Sequence, residues 1–285
     1  MGFSLRSDRL ATLYLAHPLM RIQQSTKEKG VPILMYHSIS ELPGRTCHPY
    51  FETSTSPRVF EEHMKYLFEN GYSSIALNEL PTVMRNGKGA SKSVVITFDD
   101  GYRDFLINAF PILEKYGFRA IVFLATGLMG SRNSKFDGVD FLDWEEVRGL
   151  RRRGVSFGSH TVNHLKLKNL QLKEMEAEIV DSKKEIASRL GESIDAFSYP
   201  YAFPEGRVDF LEEYFGLLER SGYRFCVTTV IGSVKNGDNL LALKRIPVNE
   251  YDDPALFKAK LDGLYDWVHV PQYLKKKWFG WIGPR

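Results

Sequence analysis

Short apolar runs alternate with longer amphipathic segments along most of the chain. A continuous apolar run such as Val94-Val95-Ile96 is typical of a strand buried on both faces, as in a parallel sheet. Strands are predicted over residues 32–36, 73–76, 93–98, 119–124, 155–158, 195–199 and 223–228. Helices are predicted over residues 57–70, 103–116, 144–153, 172–190, 208–220 and 254–264. This alternation indicates an α/β fold with a mainly parallel sheet.

Two short polar strings follow predicted strands. TFDDG at 97–101 places Asp99 and Asp100 at the end of one strand, and HTVNH at 160–164 places His160 and His164 after another. Because the ends of parallel strands on one face of such a fold converge, we expect these side chains to lie together. A carboxylate and two imidazoles make a three-ligand site for a divalent cation, with room left for water. The second carboxylate is then placed to accept a proton from that water.

Each string also has an ordinary structural explanation. An Asp-Asp-Gly after a strand often forms a turn, because Asp hydrogen-bonds its own backbone and Gly takes a positive φ. Two histidines at this spacing also occur in polar networks that hold no metal. The occurrence of both strings after strands of one alternating chain favours a metal-assisted hydrolase over these alternatives.

The two strings resemble the first two motifs of the polysaccharide deacetylase family, the NodB-homology carbohydrate esterases. These motifs read Thr-Phe-Asp-Asp-Gly and His-Ser/Thr-x-x-His. The resemblance implies a distorted (β/α) barrel of about seven parallel strands and the removal of acetyl groups, mostly from N-acetylglucosamine units. It implies Asp99 as the general base, with Asp100, His160 and His164 as ligands of a divalent metal. Two imidazoles and a carboxylate favour zinc, with cobalt or nickel as alternatives.

The later motifs of the family are matched only in part. SYPY at 198–201 keeps the Pro-Tyr of the usual pattern and lacks its Arg. The resemblance implies that the backbone N–H of Tyr201 binds the oxyanion, a role that needs no particular side chain. The usual C-terminal Leu-x-His, which provides the catalytic acid, has no good match.

A histidine near the start of the chain offers a replacement for that acid. PILMYH at 32–37 is a short apolar strand that ends in His37, which resembles the circularly permuted branch typified by biofilm poly-N-acetylglucosamine deacetylases. In that branch the acid precedes the Asp-Asp motif, so His37 is the candidate acid. If His37 is only a structural histidine, His269 is the next candidate. Arg245 also resembles that branch and would place positive charge near Asp99; an arginine on the surface of a strand is the alternative.

Composition and charge narrow the class of protein. The 285 residues are enough for one barrel-type domain, with 43% hydrophobic and 26% charged residues, as in ordinary globular proteins. The net charge of +3 argues against a nucleic-acid partner. Cys47 and Cys226 are too few for a disulfide framework, although one bridge stays open. The chain shows no clean signal peptide and no run of roughly 20 apolar residues, so the cytoplasm is the expected location.

The two ends differ in character from the middle. We divide the chain into an amphipathic extension over 1–30, a deacetylase-like barrel over 31–264 and a basic, aromatic tail over 265–285. Mixed cations and aromatics suit a membrane interface, which would place the protein at the inner face of the membrane. The alternative is that both ends pack on the barrel.

We therefore expect a hydrolase that removes N-acetyl groups from an N-acetylhexosamine-containing glycan or a lipid-linked sugar. Two other functions stay open: removal of O-acetyl esters from a carbohydrate, and sugar binding without catalysis on the same fold. The intact Asp99 fits binding alone less well, because a binding module can discard its base.

Overall fold

The computed structural model describes residues 6–16, 30–41, 49–86, 92–133 and 139–279. Its strands are β1 (Ile33–Tyr36), β2 (Ser38–Ile39), β3 (Ser54–Thr55), β4 (Ser73–Ser74), β5 (Ser93–Phe98), β6 (Ile121–Leu124), β7 (Arg132–Asn133), β8 (Val139–Asp140), β9 (Ser156–Ser159), β10 (Ala196–Ser198), β11 (Phe225–Ile231) and β12 (Leu243–Pro247). Its α-helices are α1 (Ser7–Leu10), α2 (Pro57–Glu69), α3 (Leu80–Asn86), α4 (Phe110–Tyr116), α5 (Trp144–Arg152), α6 (Leu172–Leu190), α7 (Val208–Arg220), α8 (Pro254–Leu261) and α9 (His269–Phe279). Wider π-helical turns cover Ala11–Ala16 and Phe105–Ala109.

Parallel strands close into a barrel at the centre of the molecule. The strand order is β1-β12-β11-β10-β9-β6-β5, and β5 pairs again with β1 to close the ring. The closing register pairs Ile33 with Val95 and Tyr36 with Phe98. Outside this ring, β4 adds to the start of β5. The structure confirms the α/β barrel of seven parallel strands that the sequence predicts.

Alternate residues of each strand face the inside and the outside of the barrel. On β5, Val95 belongs to the inner apolar cluster, whereas Val94 and Ile96 pack outward under the helices. Because side chains alternate along a strand, the inner row of β5 continues from Val95 through Thr97 to Asp99. The inner rows therefore carry polar side chains to the carboxyl end of the barrel.

Glycine at one inner position lets two strands and a ring pack closely. A Cβ at Gly158 of β9 would lie 2.6 Å from the ring of Phe123 and 2.8 Å from the carbonyl oxygen of Ala196. A larger side chain at this position would overpack the barrel interior. The small residue therefore lets the strand before His160 lie flush against its neighbours.

The helices pack around the barrel and begin at capping residues that the sequence supplies. Asp143 caps α5 by accepting hydrogen bonds from the N–H groups of Glu145 and Glu146. Asp253 caps α8 in the same way, with Pro254 at the first helical position. Gly191 ends α6 in the left-handed conformation. None of the described helices combines the length and hydropathy needed to cross a bilayer.

Both ends of the chain pack on the barrel where the structure describes them. Arg6 forms an ion pair with the buried Asp252, and Trp267 donates a hydrogen bond to Thr12. Most of the described tail forms α9, a helix that the sequence did not predict there. Residues 1–5, 17–29 and 280–285 and Cys47 lie outside the described residues, so membrane contact and the Cys47–Cys226 pairing stay predictions. Cys226 itself is buried and contacts the Tyr214 hydroxyl.

Candidate active site

The carboxyl ends of the barrel strands open into a cleft of about 520 Å³. The cleft is lined by nearly all of the residues that the sequence predicts for the site: His37, Asp99, Asp100, His160, His164 and Tyr201. Arg245 completes the predicted set by contacting Asp99 from β12. The structure therefore brings together side chains that are far apart in the sequence.

Asp100, His160 and His164 form a compact cluster. The Oδ1 atom of Asp100 lies 3.4 Å from Nε2 of His160 and 3.3 Å from Nε2 of His164. One ligand atom from each residue falls within 4.8 Å of the other two. The Nδ1 atom of His160 lies 2.7 Å from the carbonyl oxygen of Ser198, which can only accept. Nδ1 therefore carries the proton, and in the neutral ring the Nε2 lone pair faces Asp100.

This cluster fits a divalent cation. Among the described residues, Asp100 Oδ1 has no hydrogen-bond partner although it is buried. A buried carboxylate oxygen that faces imidazole nitrogens is costly without a positive charge between them. Two nitrogens and one oxygen are a donor set that zinc, cobalt and nickel accept. The residues present therefore fit the metal that the sequence predicts.

The pKa values of the cluster show how its charges are balanced. Burial opposes ionisation of Asp100, but the imidazoles of His160 and His164 hold its pKa below the ordinary range. Burial lowers the pKa of His164 to about 4, so this ring is neutral at neutral pH. Burial also acts to lower the pKa of His160, but Asp99 and Asp100 outweigh it and raise that pKa. The carboxylates of Asp99 and Asp100 therefore favour a positive charge within the cluster.

Asp99 is held by a buried arginine. Arg245 is 1% exposed, and its Nη1 and Nη2 atoms donate to Oδ1 and Oδ2 of Asp99 at 2.8 and 2.7 Å. Ser198 also donates to Oδ1 at 3.1 Å. Burial would raise the pKa of Asp99, but the charges of Arg245 and His160 outweigh it and lower that pKa to about 2. Asp99 is therefore an anion with a fixed orientation.

The loops that carry the site contain strained backbone. Asp100, Thr161, His164 and Tyr201 have positive φ angles of 73°, 72°, 52° and 59°, and they are the non-glycine residues with positive φ in the described part of the chain. Each such residue costs on the order of 1–3 kcal/mol. These residues all lie in the site loops, so the surrounding contacts must hold the loops in place.

The two candidate acids occupy different places. Nε2 of His37 lies 3.9 Å from Oδ2 of Asp99, within the cleft and beyond hydrogen-bond distance. His269 begins α9 and lies 2.7 Å from Glu205, and it is not among the residues that line the cleft. The geometry therefore favours His37 over His269 as the group that can reach a bound substrate.

Sequence reasoning missed the residues that support the site. Glu178 is 6% exposed on α6, and its Oε2 accepts the N–H groups of Val162 and Asn163 in the histidine loop. A glutamate on the buried face of an amphipathic helix is the signal that could have found it. Ser198 lies within the SYPY string at 198–201, but the string assigns no role to its side chain. Residues 50–53 also line the cleft. Their sequence carries no motif other than two adjacent aromatic residues, Tyr50 and Phe51.

The chain is similar to known proteins over most of its length. Residues 86–219 match the family model for polysaccharide deacetylases. YxkH of Bacillus subtilis (strain 168), a protein named for that family, is 32% identical over 242 residues, covering 85% of this chain and 79% of YxkH. The poly-beta-1,6-N-acetyl-D-glucosamine N-deacetylase of Staphylococcus aureus (strain MSSA476) is 25% identical over 257 residues, covering 84% of this chain and 86% of that protein.

A solved structure also resembles this fold over most of its length. The Streptococcus pyogenes deacetylase PplD in complex with acetate superposes with a TM-score of 0.70 and 26% identity. The match covers 82% of this chain and 99% of PplD. The similarity therefore extends over most of the chain rather than the two motif strings alone.

Proposed function

Because this chain belongs to the polysaccharide deacetylase family, we propose that it is a metal-dependent hydrolase that removes N-acetyl groups from an amino-sugar glycan. The observation that carries the proposal is the Asp100–His160–His164 cluster with the anion of Asp99 beside it. When bound, a divalent cation would polarise the acetyl carbonyl and make water easier to deprotonate.

The residues around the cluster supply the other parts of an amide hydrolysis. Asp99 accepts a proton from the attacking water as its oxygen bonds to the carbonyl carbon. The Tyr201 N–H donates to the carbonyl oxygen as negative charge develops there. His37 protonates the nitrogen while the C–N bond breaks, and an amine and acetate leave. Amide nitrogen leaves poorly without this proton, so the acid is essential.

The cleft suits a sugar substrate. Phe51 and Tyr201 line it, and these residues are 58% and 45% exposed. Exposed aromatic faces beside a polar centre offer flat apolar surface to the C–H face of a pyranose. The Staphylococcus aureus relative acts on poly-beta-1,6-N-acetyl-D-glucosamine, as its name states. We therefore propose an N-acetylglucosamine-containing glycan or a lipid-linked N-acetylated saccharide as the substrate.

Mass spectrometry of N-acetylated saccharides incubated with the protein tests this function. We expect loss of acetyl groups from the sugar and matching release of acetate. Chelation should abolish turnover, and added Zn²⁺ or Co²⁺ should restore it. Full activity in a sample shown by elemental analysis to hold no metal would remove metal dependence. Turnover of O-acetyl esters alone would make the protein an ester deacetylase, and binding without any turnover would make it a sugar-binding module.

A substitution of His37 tests its role as the acid. His37→Ala should keep its metal but lose about 10² to 10⁴ in rate on amides, the usual worth of a positioned acid. An activated ester should lose much less, because its leaving group needs little protonation. Equal losses on both substrates would contradict the assignment. His269→Ala is the matched control and should leave the ratio of amide to ester rates unchanged.

A further inference from the structure

β11 carries an irregularity beside the cleft. Val227 pairs with Leu243 and Ile231 pairs with Arg245, so residues 228–230 together face Lys244 of β12. Such a bulge removes backbone groups from the ladder and redirects side chains, and bulges are common beside active sites.

The bulge contacts two parts of the proposed catalytic apparatus. The carbonyl of Thr228 accepts a hydrogen bond from Nε of Arg245 at 2.9 Å. The hydroxyl of Thr229 donates to the carbonyl of Tyr201 at 3.0 Å and accepts from the N–H of Phe203 at 3.0 Å. The Thr229 hydroxyl thus spans the turn that begins at Tyr201.

Helix α9 packs against the bulged segment of β11. Nε2 of Gln272 on α9 donates to the carbonyl of Thr229 at 2.9 Å, and its Oε1 accepts the N–H of Ile231 at 3.1 Å. One amide side chain therefore satisfies two backbone groups of the bulged strand, as buried polar groups require. Lys276 adds a second link from α9 to the same region through Glu205, at 2.8 Å.

Tyr201 needs such support. Its φ of 59° is one that a bulky residue adopts only when its surroundings impose it. None of the hydrogen bonds among the described residues uses the N–H of Tyr201, so this donor is available to a ligand. The Thr229 hydroxyl binds the carbonyl of the same residue, and this contact holds the peptide that follows the tyrosine, at one end of the strained turn.

We propose that Thr229 and Gln272 are positioning residues that hold the Tyr201 backbone in its oxyanion-binding conformation. Gln272 fixes the bulge, the bulge presents the Thr229 hydroxyl, and the hydroxyl fixes the Tyr201 turn. This inference rests on the proposed deacetylase function and deepens it. It gives α9 a part in the chemistry although none of the described side chains of that helix lines the cleft.

The contacts that lead from Gln272 through Thr229 to Tyr201 form what we call the relay. Kinetics of Thr229 variants test it. Thr229→Val keeps the shape of the side chain and removes both hydrogen bonds, and a small misplacement of a catalytic group costs up to about 10²-fold in rate. We expect kcat to fall by about 10- to 100-fold. KM and metal content should stay nearly unchanged. Thr229→Ser keeps the hydroxyl and should restore most of kcat. Equal losses in both variants, or none in Thr229→Val, would overturn the proposal.

Gln272 provides a second, independent variant. Gln272→Met keeps the length of the side chain and loses both contacts, so kcat should fall in the same direction. Because the two residues act in one relay, the double variant should lose little more than Thr229→Val alone. Val270→Ala is the matched control, since Val270 lies on the same helix and is 60% exposed. Additive losses would show that the two residues act separately and would overturn the relay.

Hydrogen exchange tests the positioning without any turnover. In Thr229→Val, the amide of Phe203, which donates to the Thr229 hydroxyl in the wild type, should exchange faster, whereas the amides of β5 should not change. Unchanged exchange at Phe203 would overturn the relay even in an active enzyme. If the wild type released no acetate from any acetylated sugar, the deacetylase function would fail, and the exchange result would still decide whether the turn is held in this way.

Discussion

Asp99 and Asp100 are neighbours in the chain but have different surroundings. Both oxygens of Asp99 are bound by Arg245, whereas one oxygen of Asp100 faces two imidazoles. The backbone turns sharply between them, because Asp100 has a φ of 73°. The turn therefore directs two identical side chains into two different environments.

Substitution of each aspartate tests the proposed roles, with Asp99 as the base and Asp100 as a metal ligand. Asp99→Asn should keep its metal and lose about 10² to 10⁴ in kcat, since only the base is removed. Asp100→Asn should lower metal occupancy itself, because a neutral amide is a weaker ligand. Elemental analysis and acetate release measure the two effects on the same samples. Loss of metal in Asp99→Asn with retention in Asp100→Asn would reverse the roles.

If Asp99 is the base, as we propose, Arg245 should set the pH range in which it accepts a proton. Burial alone would raise the pKa of Asp99, and the charge of Arg245 is the main influence that lowers it to about 2. Arg245→Lys keeps one charge and loses the two-pronged contact, so the pKa of Asp99 should rise. The acid limb of the kcat/KM profile should then move to higher pH. An unchanged limb would show that Asp99 is not the group that titrates there.

The same pair predicts how stability depends on pH. A carboxylate whose pKa is lowered on folding stabilises the folded state above its unfolded pKa, and this contribution is lost as pH falls. For Asp99 the loss occurs as pH approaches its folded pKa of about 2. The difference in unfolding free energy between wild type and Arg245→Lys should therefore shrink as pH falls toward that value. Urea unfolding at several pH values measures this difference.

The residues of the candidate metal cluster and Asp99 could be located from sequence because each set is local. Asp99 and Asp100 follow one apolar strand, and the two histidines lie in one loop. Ser198 and Glu178, which also support the site, could not be predicted, because they come from distant segments that only the closed barrel brings together. Arg245 was predicted by family resemblance, but its burial and its contact with both oxygens of Asp99 follow from the inner row of β12.

At the level of elements, α6 supports the loop that carries the histidines. Both oxygens of Glu178 are used by this loop, since Oε1 also accepts from the side chain of Asn163 at 2.7 Å. Thr161 and His164 in the loop have positive φ. Because these conformations are strained, the loop depends on the helix that anchors it.

Glu178→Ala should therefore weaken metal binding without removing a ligand. Residues that orient metal ligands are usually worth about 10- to 100-fold in affinity, and we expect a loss near the lower end of this range. Titration with Zn²⁺ against a competing chelator measures the change. Glu176→Ala is the matched control, because Glu176 is exposed on the same helix and should bind metal as the wild type does. Unchanged affinity in Glu178→Ala would contradict the anchoring role.

Elements with a clear period were predicted well. The apolar run in β5 and the amphipathic stripes of α6 and α7 mark these elements without help from the rest of the chain. The bulge in β11 and the docking of α9 have no such signal. Gln272 on α9 contacts backbone groups of β11, so neither its residue type nor its spacing reveals the contact.

At the scale of the whole molecule, the metal should couple to folding. A ligand that binds only the folded chain adds about 2.7 kcal/mol to the free energy of unfolding at 100 times its Kd. We expect Zn²⁺ to raise the midpoint of thermal unfolding and a chelator to lower it. Most of this shift should be missing in Asp100→Asn. An equal shift in both proteins, measured by calorimetry, would place the zinc elsewhere.

The closure of the barrel through β1 also has a consequence for the time course of folding. β1 lies between β5 and β12, and Leu34 pairs with Ile246 near the other end of the domain. Contacts between such distant segments form slowly, because a long loop must close first. During synthesis, His37 and Asp99 leave the ribosome long before Arg245. Asp99 therefore has no counter-charge until Arg245 has been synthesised. The site is complete only when β12 is inserted into the barrel.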